Sequence, residues 1–462
     1  MLENNQQPNS DQDRPLKVFI TAMLATGHFN SCLGIGSLLK KRGHDIYFAH
    51  LPKNQSIIEQ QGMKFVNLLD YSSEIVPVED TFLANIERFN KQFEDACESS
   101  PLEQLKIGKG INKLASFFHN TTGTIVKESE VMVKLVDELK PDVCIGDYVF
   151  PTPWMEFVDV PTIHVMSVSP LDLYDGPPTG SGYSINDPLK LWKEFSVRAE
   201  EGKERIAMIA AEIFEHFGIV YMKDASPKYL GIYIYPKPLD YKELGQPKPR
   251  WIRLDSAVRL PETSDFIIPE KLANKPGKLI YLSMGTLASI NPDLLNLLLE
   301  PLAKSPHRFI ISTGRNGDQV KLYDNMWGDK FVNQIAILPH VDLFITHAGS
   351  NSLIEGLAAA KPLISIPVFG DQQDNAQRVV DLGLGAKINL WEFDGDKFLE
   401  TIENLLADEI IQRNVALISK EFKNQTHRIK FVKPSSKLQE QKNQLINYCN
   451  FFQTENKKLY SF

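Results

Sequence analysis

Residues 16–50 read LKVFITAMLATGHFNSCLGIGSLLKKRGHDIYFAH and contain the pattern that decides the fold. Leu16–Ala22 is short and rich in β-branched and aromatic residues, which predicts a buried strand. After a polar loop, the amphipathic stretch Ser31–Arg42 predicts a helix that stops at Gly43. Asp45–His50 predicts the next strand. Strand, helix and strand in this order form a βαβ unit, which indicates a parallel sheet.

The same alternation continues along the chain in two series. The further strands expected in the first series are Met63–Leu68, Val143–Ile145, Thr162–Val168 and Gly231–Tyr235, the last of that half. Those expected in the second series are Leu279–Leu282, Arg308–Ser312, Ile335–Leu338, Leu343–Ile345 and Leu363–Ile366. Helices are expected over most of 80–138 and over 292–304, 351–360, 374–382 and 396–407. The predicted fold class is therefore α/β, with two Rossmann-like doubly wound domains and ligands at the carboxyl ends of the strands.

A change of composition separates the two series. Seven prolines fall between Pro236 and Gly277, mixed with charged residues, which predicts an interdomain linker. The expected segments are a polar tail (1–14), a first Rossmann-like domain (15–236), the linker (237–277), a second domain (278–432) and a carboxyl-terminal helix packing back on the first domain (433–462).

Composition and charge exclude several classes of protein. Of the 462 residues 43% are hydrophobic and 23% charged, as in globular proteins with sizeable cores. The net charge of 50 − 58 = −8 gives no support for a role in coating nucleic acid. We expect no membrane anchor or secretory signal, because no long apolar run is present and the first residues are polar. The cysteines, which form no CxxC pair, are expected to be reduced thiols of a cytoplasmic protein: Cys32, Cys97, Cys144 and Cys449.

The most informative motif of the second half is THAGSNSLIE, residues 346–355, between an apolar strand and a helix. Its small residues leave backbone N–H groups uncovered at a helix N-terminus, where the helix dipole attracts phosphate. His347, Asn351 and Ser352 add side-chain donors, and Glu355 is suited to accept from the hydroxyls of a ribose. Taken alone, the motif is also compatible with an ordinary helix cap.

Two other polar turns follow strands of the same predicted sheet. FGDQQDNA, residues 369–376, places an Asp beside a Gln, a pair that can bind several sugar hydroxyls at once. LSMGT, residues 282–286, places small donors after the first strand of this half. Because the carboxyl ends of parallel strands share one edge of a sheet, the three turns are expected to meet in one crevice.

The segment FVNQIAILPHVDLFITHAGSNSLIEGLAAAKPLISIPVFGDQQDNAQRV, residues 331–379, resembles the signature of family-1 UDP-glycosyltransferases. That family has two Rossmann-like domains facing a cleft, the GT-B fold. Where this chain has Phe331, the family often has a tryptophan that stacks on uracil, and Gln334 matches a residue beside the base and ribose. Ser350 replaces the tryptophan of plant members, so the chain is more similar to bacterial macrolide glycosyltransferases and to soluble arthropod members.

The resemblance implies roles for individual residues. The diphosphate would be held by Thr286, His347, Gly349, Asn351 and Ser352. Glu355 would bind the ribose, and Asp371 and Gln372 the donor sugar. The remaining expected contacts to the UDP-sugar are Ser283, Gly285 and Val332.

The first half is expected to supply the base. His28 in ATGHFN and Asp147 in PDVCIGD occupy the positions of the family's catalytic His and Asp. His28 would take the proton of the acceptor hydroxyl, and Asp147 would orient the imidazole and stabilise its charged form. Taken singly, a histidine in such a loop is more often a cap or a surface residue, and an aspartate there is often a turn former.

Together these features predict an inverting transferase that moves a hexose, expected to be glucose from UDP-glucose, to a hydroxyl of a small lipophilic acceptor. A flavonoid, another phenol or a xenobiotic undergoing detoxification would fit. No metal and no further cofactor is expected, since Asp394-Gly395-Asp396 is better explained as a helix N-cap than as a metal motif. The aromatic residues expected to hold the acceptor are Phe117, Phe118, Phe150 and Trp154. The Pro/Gly loop 176–182 either lines the cleft near the acceptor or is an ordinary flexible turn. A non-catalytic binder of lipophilic ligands or nucleotide-sugars, a UDP-sugar epimerase and a cell-envelope sugar transferase are the alternatives.

Overall fold

A computed structural model describes residues 14–75, 86–109, 111–149, 152–223, 226–255 and 266–425. The described residues up to 255 are called the N-lobe and those from 266 onwards the C-lobe. Each lobe is built on one parallel sheet, and the predicted α/β class with two doubly wound domains is confirmed. Among the helices described, none combines the length and the apolarity needed to cross a bilayer.

The N-lobe sheet has the order β3-β2-β1-β4-β5-β6-β7, with all neighbouring strands parallel. Its strands are β1 Lys17–Ala22, β2 Asp45–His50, β3 Lys64–Asn67, β4 Val143–Asp147, β5 Thr162–Met166, β6 Leu230–Ile234 and β7 Trp251–Leu254. Its helices are α1 Thr26–Lys41, α2 Gln55–Gln60, α3 Ile86–Glu98, α4 Pro101–Lys106, α5 Ile111–Leu139, α6 Trp154–Phe157 and α7 Leu189–His216.

The C-lobe sheet has the order β10-β9-β8-β11-β12-β13 and is also parallel. Its strands are β8 Leu279–Ser283, β9 Arg308–Ser312, β10 Met326–Asp329, β11 Leu343–Thr346, β12 Leu363–Ser365 and β13 Gly385–Lys387. Its helices are α8 Glu270–Ala273, α9 Gly285–Ala288, α10 Pro292–Leu302, α11 Gln334–Ile337, α12 Ser350–Ala358, α13 Gln372–Asp381, α14 Gly395–Ala407 and α15 Glu409–Gln425.

The central strands are apolar on both faces because helices cover both faces of a parallel sheet. Every residue of β4 and of β8 is buried. In β1, Ile20 packs in a core with residues of α1, whereas its neighbour Phe19 faces the opposite side and contacts Trp154 edge-on. Continuous apolar runs such as LKVFITA and LIYLS were therefore sufficient to locate the central strands.

Two expectations about secondary structure were wrong. The run Ile335–Leu338 was expected as a strand but belongs to α11 and the turn after it, because Asn333 caps a helix by accepting from the Ala336 N–H at 3.3 Å. The strand paired with β9 is instead Met326–Asp329.

The predicted linker 237–277 contains β7, which pairs with β6, so Gly231–Tyr235 is not the last strand of its half. The predicted tail before Arg14 and the predicted helix 433–462 lie outside the described residues.

The lobes meet along the amino-terminal turns of α13. The Oδ2 atom of Asp371 accepts from the Ser169 N–H at 2.9 Å. The carboxylate of Asp374 accepts from the N–H groups of Gly180 at 2.7 Å and Gly182 at 3.1 Å, in the predicted Pro/Gly loop. These contacts are made to backbone, so they fix the position of the N-lobe chain itself.

Arg378 extends this contact one turn further along α13. Its side chain is 1% exposed, and its guanidinium donates to the carbonyl oxygens of Leu239, at 2.8 Å, and Asp240. It also pairs with Glu243 at 3.0 Å and lies over the ring of Tyr241. A buried guanidinium with several acceptors holds the chain that leaves β6 against the C-lobe.

We expect Arg378→Met to lower stability by about 3 kcal/mol, because it leaves two buried carbonyl groups and one carboxylate without their donor. The measurement is urea unfolding followed by tryptophan fluorescence. Arg413→Met, the same change at an exposed position of α15, is the matched control. Coincident unfolding curves for wild type and Arg378→Met would contradict the assigned role of this contact.

Candidate active site

The carboxyl-terminal edges of the two sheets face one another across a cavity of about 2000 Å³. Every residue predicted to be catalytic or to bind the donor lines this cavity. The structure therefore brings together side chains that lie more than 300 positions apart in the sequence.

His28 lies in the first turn of α1 and Asp147 is the last residue of β4. The two strand ends are adjacent because β1 pairs with β4, with Ala22 opposite Asp147. The His28 Nδ1 atom lies 2.9 Å from Asp147 Oδ1 and 3.0 Å from Ser167 Oγ. Since an ionised carboxylate can only accept, Nδ1 carries the proton and Nε2 is the basic nitrogen.

Burial and neighbouring charges act in opposite directions on His28. Burial lowers the pKa of the imidazole, while the charge and hydrogen bond of Asp147, and at longer range the charge of Asp371, raise it. The net pKa is above its ordinary value. Asp147 Oδ2 is buried and has no hydrogen-bond partner among the described residues, so its negative charge acts mainly on His28.

Ser167 is a site residue that the sequence did not reveal. It follows β5, the neighbour of β4, at the same edge of the sheet. Its position after a strand was the available signal, but a serine at a strand end is too common to single out.

A cradle of small residues surrounds His347 at the end of β11. Gly285 has a φ of +71°, and a Cβ atom there would lie 2.4 Å from the imidazole Cε1. A Cβ atom at Gly349 would lie 2.5 Å from the imidazole Nε2. Only glycine at both positions leaves room for this ring. Burial lowers the pKa of His347 to about 4, so at neutral pH the ring is uncharged and can donate one hydrogen bond.

At the end of the cavity predicted to bind the nucleoside, one aromatic side chain is exposed and one carboxylate is buried. Phe331 is 76% exposed, so its face is available for stacking. Glu355 on α12 is buried, and its Oε2 accepts from Gln334 Nε2 at 2.6 Å. Gln334 also donates to Ser352 Oγ at 3.2 Å. A carboxylate oriented in this way can accept from vicinal hydroxyls.

The predicted sugar-binding pair is held from several sides. Asp371 Oδ2 accepts from Ser350 Oγ and from Asn375 Nδ2, each at 3.1 Å, in addition to the Ser169 N–H. Gln372 Oε1 accepts from the N–H groups of Val368 and Phe369, which closes the turn before α13. Asp371 Oδ1 and the amide nitrogen of Gln372 make no hydrogen bond with the part of the chain that the structure describes.

Asn351, expected at the diphosphate, lines the cavity and also contacts the opposite lobe. Its Nδ2 donates to the Gly27 carbonyl at 2.9 Å, and its Oδ1 accepts from Ser31 Oγ at 3.2 Å. The side chain therefore connects α12 to the start of α1. Ser283, Thr286 and Val332 lie at the cavity wall as expected.

Two of the predicted acceptor residues, Trp154 and Phe118, do not line the cavity. Trp154 is fully buried between Phe19 and Tyr148, and Phe118 packs with Ile125 and Ile213 in a separate small core. Phe150 and the side chain of Phe117 lie outside the described residues. Aromatic density in a sequence does not distinguish core from ligand pocket, because both bury apolar surface.

The Asp394-Gly395-Asp396 motif has a structural explanation. Asp394 Oδ1 accepts from the N–H groups of Asp396 at 3.0 Å and Lys397 at 2.9 Å, which makes it the N-cap of α14. Within the described ranges, no group of three or more His, Cys, Asp or Glu side chains converges as metal ligands would.

The two lobes are paired α/β folds that face a common cavity, with the cradle at α12 on one side of it. Residues 271–434 match the family model described as UDP-glucoronosyl and UDP-glucosyl transferase. The C-lobe thus resembles that family of transferases, and the two lobes together have the GT-B fold.

Curated relatives match about a third of the chain. An uncharacterised UDP-glucosyltransferase, YdhE of Bacillus subtilis, is 32% identical over 35% of this chain and 41% of its own length. UDP-glucuronosyltransferase 1A4 of Oryctolagus cuniculus is 28% identical over 36% of this chain and 31% of its own length. The oleandomycin glycosyltransferase of Streptomyces antibioticus is 31% identical over 31% of this chain and 34% of its own length. The chain thus matches well under half the length of each.

Solved structures match over both lobes. The glycotransferase of kitacinnamycin aligns with a TM-score of 0.64 and 17% identity, covering 89% of this chain and 96% of its own. The glycosyltransferase VinC, solved in complex with DTDP, aligns with a TM-score of 0.58 and 16% identity, covering 88% and 95%. These structures support the fold of both lobes.

We expect Asp147→Asn to lower the pKa of His28, because the raised pKa depends on the negative charge beside Nδ1. The measurement is a proton NMR titration of the histidine resonances, with His28→Ala used to assign the signal. Asp137→Asn, which removes an exposed charge on α5, is the control and should leave the titration unchanged. A His28 signal that titrates identically in wild type and Asp147→Asn would contradict the assigned pair.

Proposed function

We propose that the chain is an inverting glycosyltransferase that moves a hexose from a UDP-sugar, UDP-glucose in the first instance, to a hydroxyl of a lipophilic acceptor. The observation that carries this proposal is the His28–Asp147 pair, which opens into the same cavity as the Glu355 carboxylate and the His347 cradle. A general base and a nucleotide-sized polar cradle in one cavity are the parts that such a transfer requires.

The proposed donor lies along the C-lobe edge of the cavity. The uracil would stack on Phe331, and the ribose hydroxyls would donate to Glu355. The diphosphate would lie at the N-terminus of α12, where unpaired N–H groups and the helix dipole favour negative charge, with His347 as an uncharged donor. Asp371 Oδ1 and the amide of Gln372 would bind hydroxyls of the sugar.

The proposed reaction is a single displacement. His28 Nε2 removes the proton of the acceptor hydroxyl as its oxygen attacks the anomeric carbon from the face opposite UDP. The bond from that carbon to the phosphate oxygen breaks, UDP leaves with the electron pair, and an α-linked donor gives a β-glycoside. Asp147 stabilises the imidazolium that forms, and the helix N-terminus stabilises the departing diphosphate without requiring a metal.

The acceptor is proposed to be lipophilic because the N-lobe wall of the cavity is largely apolar. Met166, Val168, Phe195 and Phe214 all line it. Phenols, flavonoids and xenobiotics of similar shape fit such a surface. If the enzyme accepts many such compounds, a role in detoxification would follow. The proposal is tested by mass spectrometry of UDP-sugars incubated with phenolic and macrolide acceptors, and without any acceptor. Product formed from UDP-glucose alone would indicate an epimerase instead.

We expect His28→Ala to reduce kcat by about 100- to 10,000-fold, the contribution of a positioned general base. The affinity for UDP, measured by calorimetry, should remain within about twofold of wild type, because the proposed nucleotide contacts lie in the C-lobe. His119→Ala, an exposed histidine on α5, is the control. Unchanged turnover in His28→Ala would remove it as the base.

We expect wild type to bind UDP at least about 10-fold more tightly than 2′-deoxy-UDP, because one charge-assisted hydrogen bond to Glu355 is lost with the hydroxyl. Glu355→Gln should lower the affinity for UDP and reduce the ratio of the two affinities, since a neutral amide accepts hydrogen bonds more weakly than a carboxylate. Calorimetric titration of both nucleotides measures the ratio, and the exposed Glu400→Gln serves as the control. Equal ratios in wild type and Glu355→Gln would place the ribose elsewhere.

A further inference from the structure

The cavity continues well past the residues assigned to the donor and the base. Beyond His28 it runs across the face of β5, β6 and β7, beneath helix α7, to Glu156 and His164. This part of the cavity is called the distal channel. It lies wholly in the N-lobe, and the donor proposed above makes no use of it.

The floor of the distal channel is the uncovered face of three strands. In β5 the side chains of His164 and Met166 are half-buried and line the cavity, whereas Ile163, the residue before His164, is packed in the core on the opposite face. His164 pairs in register with Gly231 of β6, and Gly231 pairs with Trp251 of β7. The floor is therefore continuous from the end of β5 to β7.

Gly231 allows an aromatic ring to form part of this floor. A Cβ atom at Gly231 would lie 2.4 Å from the Trp251 indole atom Cδ2. Any larger residue would displace the ring from its position across the strand. Trp251 is only half-buried and lines the cavity, so it offers a flat apolar surface that the lobe itself leaves uncovered.

Helix α7 forms the roof. Phe195, Ala199 and Lys203 line the cavity at spacings of four residues, which places them on one face of the helix. Eight helical residues extend about 12 Å, so the roof covers a channel of at least that length. A small residue, Ala199, at the middle of this stripe keeps the channel open between the roof and the floor.

The far end of the channel carries a carboxylate that can accept hydrogen bonds. Glu156 Oε1 lies 3.4 Å from His164 Nε2, and the two side chains are 31% and 27% exposed. The imidazole of His164 beside it, and the charge of Lys228, lower the pKa of Glu156, so this carboxyl group is ionised at neutral pH.

The distance between the two ends follows from the strand. Ser167, whose hydroxyl contacts His28, is three residues from His164 along β5. Three residues of extended strand span about 10 Å. The reacting oxygen and the Glu156 carboxylate are thus separated by roughly the length of two linked aromatic rings.

We propose that the acceptor is an elongated, two-ended lipophilic molecule, with one hydroxyl at His28, an apolar body on Trp251 and Met166, and a second hydrogen-bond-donating group at Glu156. This inference rests on the proposed transferase activity and assigns Glu156 as a specificity-determining residue. Lipophilic molecules with a single hydroxyl would bind less well, because the half-buried carboxylate of Glu156 would lose water to their apolar end without gaining a donor from it.

The test compares two acceptors of equal shape, biphenyl-4,4′-diol and biphenyl-4-ol, with UDP-glucose as donor. Wild type should show a kcat/KM for the diol at least about 10-fold higher than for the mono-ol, beyond the twofold expected from two equivalent hydroxyls. In Glu156→Gln the ratio should fall towards two. Glu215→Gln, an exposed carboxylate near the end of α7, is the matched control and should retain the wild-type ratio.

Glu156→Ala provides a second variant, and thermal unfolding establishes that each protein is folded. A diol-to-mono-ol ratio near two in wild type, or a high ratio that survives both substitutions, would overturn the proposal. Failure of the proposed transferase activity would be distinguishable from failure of this inference. In that case wild type would glycosylate neither of the two biphenyl acceptors, nor any other phenol, with any UDP-sugar.

Discussion

The cleft depends on the docking of one short helix, α13, against the backbone of the opposite lobe. Asp371 and Asp374 accept from three N–H groups of the N-lobe, and Arg378 donates to two of its carbonyls. Main-chain partners are present whatever side chains the loops carry. The acceptor loops can therefore vary in sequence while the two sheet edges keep the same separation, which is what a transfer between two bound molecules requires.

The same contacts address an electrostatic problem of the cleft. The proposed donor, with its diphosphate, would enter a cavity that already contains buried carboxylates, and unpaired negative charge there would repel it. The pKa of Asp374 is raised to about 7, because burial raises it by more than the hydrogen bonds from the Gly180 and Gly182 N–H groups lower it. These two donors therefore favour the ionised form against the effect of burial. Asp371 Oδ2 is compensated by three donors, one of them the Ser169 N–H of the other lobe. Because part of this compensation comes from the N-lobe, separation of the lobes would uncover charge next to the donor.

The sequence located more of the C-lobe wall of the cavity than of the N-lobe wall, for a physical reason. Most of the predicted donor contacts come from one stretch, residues 331–372, in which strand ends and helix starts alternate, so local spacing specifies geometry. His28 and Asp147 were brought together because the strand before His28 and the strand that ends at Asp147 are neighbours in the sheet. Ser167 and Glu156 were missed, since their importance arises only from the register of neighbouring strands. Trp154 and Phe118 were misassigned because a buried aromatic ring has the same composition signal in a core as in a pocket. Ile335–Leu338 was expected as a strand but is helical, because the Asn333 side chain caps a helix there. A short apolar run alone does not distinguish a strand from a helix.

The two lobes also differ in how their ligand surfaces are constructed, and this difference bears on specificity. In the C-lobe, most of the predicted contacts lie in turns at strand ends or in the first turns of the helices that follow them. Substitution there would disturb the sheet as well as the ligand. In the N-lobe, the distal channel lies on a sheet face roofed by α7, and residues such as Ala199 and Lys203 occupy ordinary helical positions with no role in ending a strand. Changes on that roof alter the shape of the channel at small cost to the fold. An acceptor site of this kind can change its ligand while the donor site stays fixed.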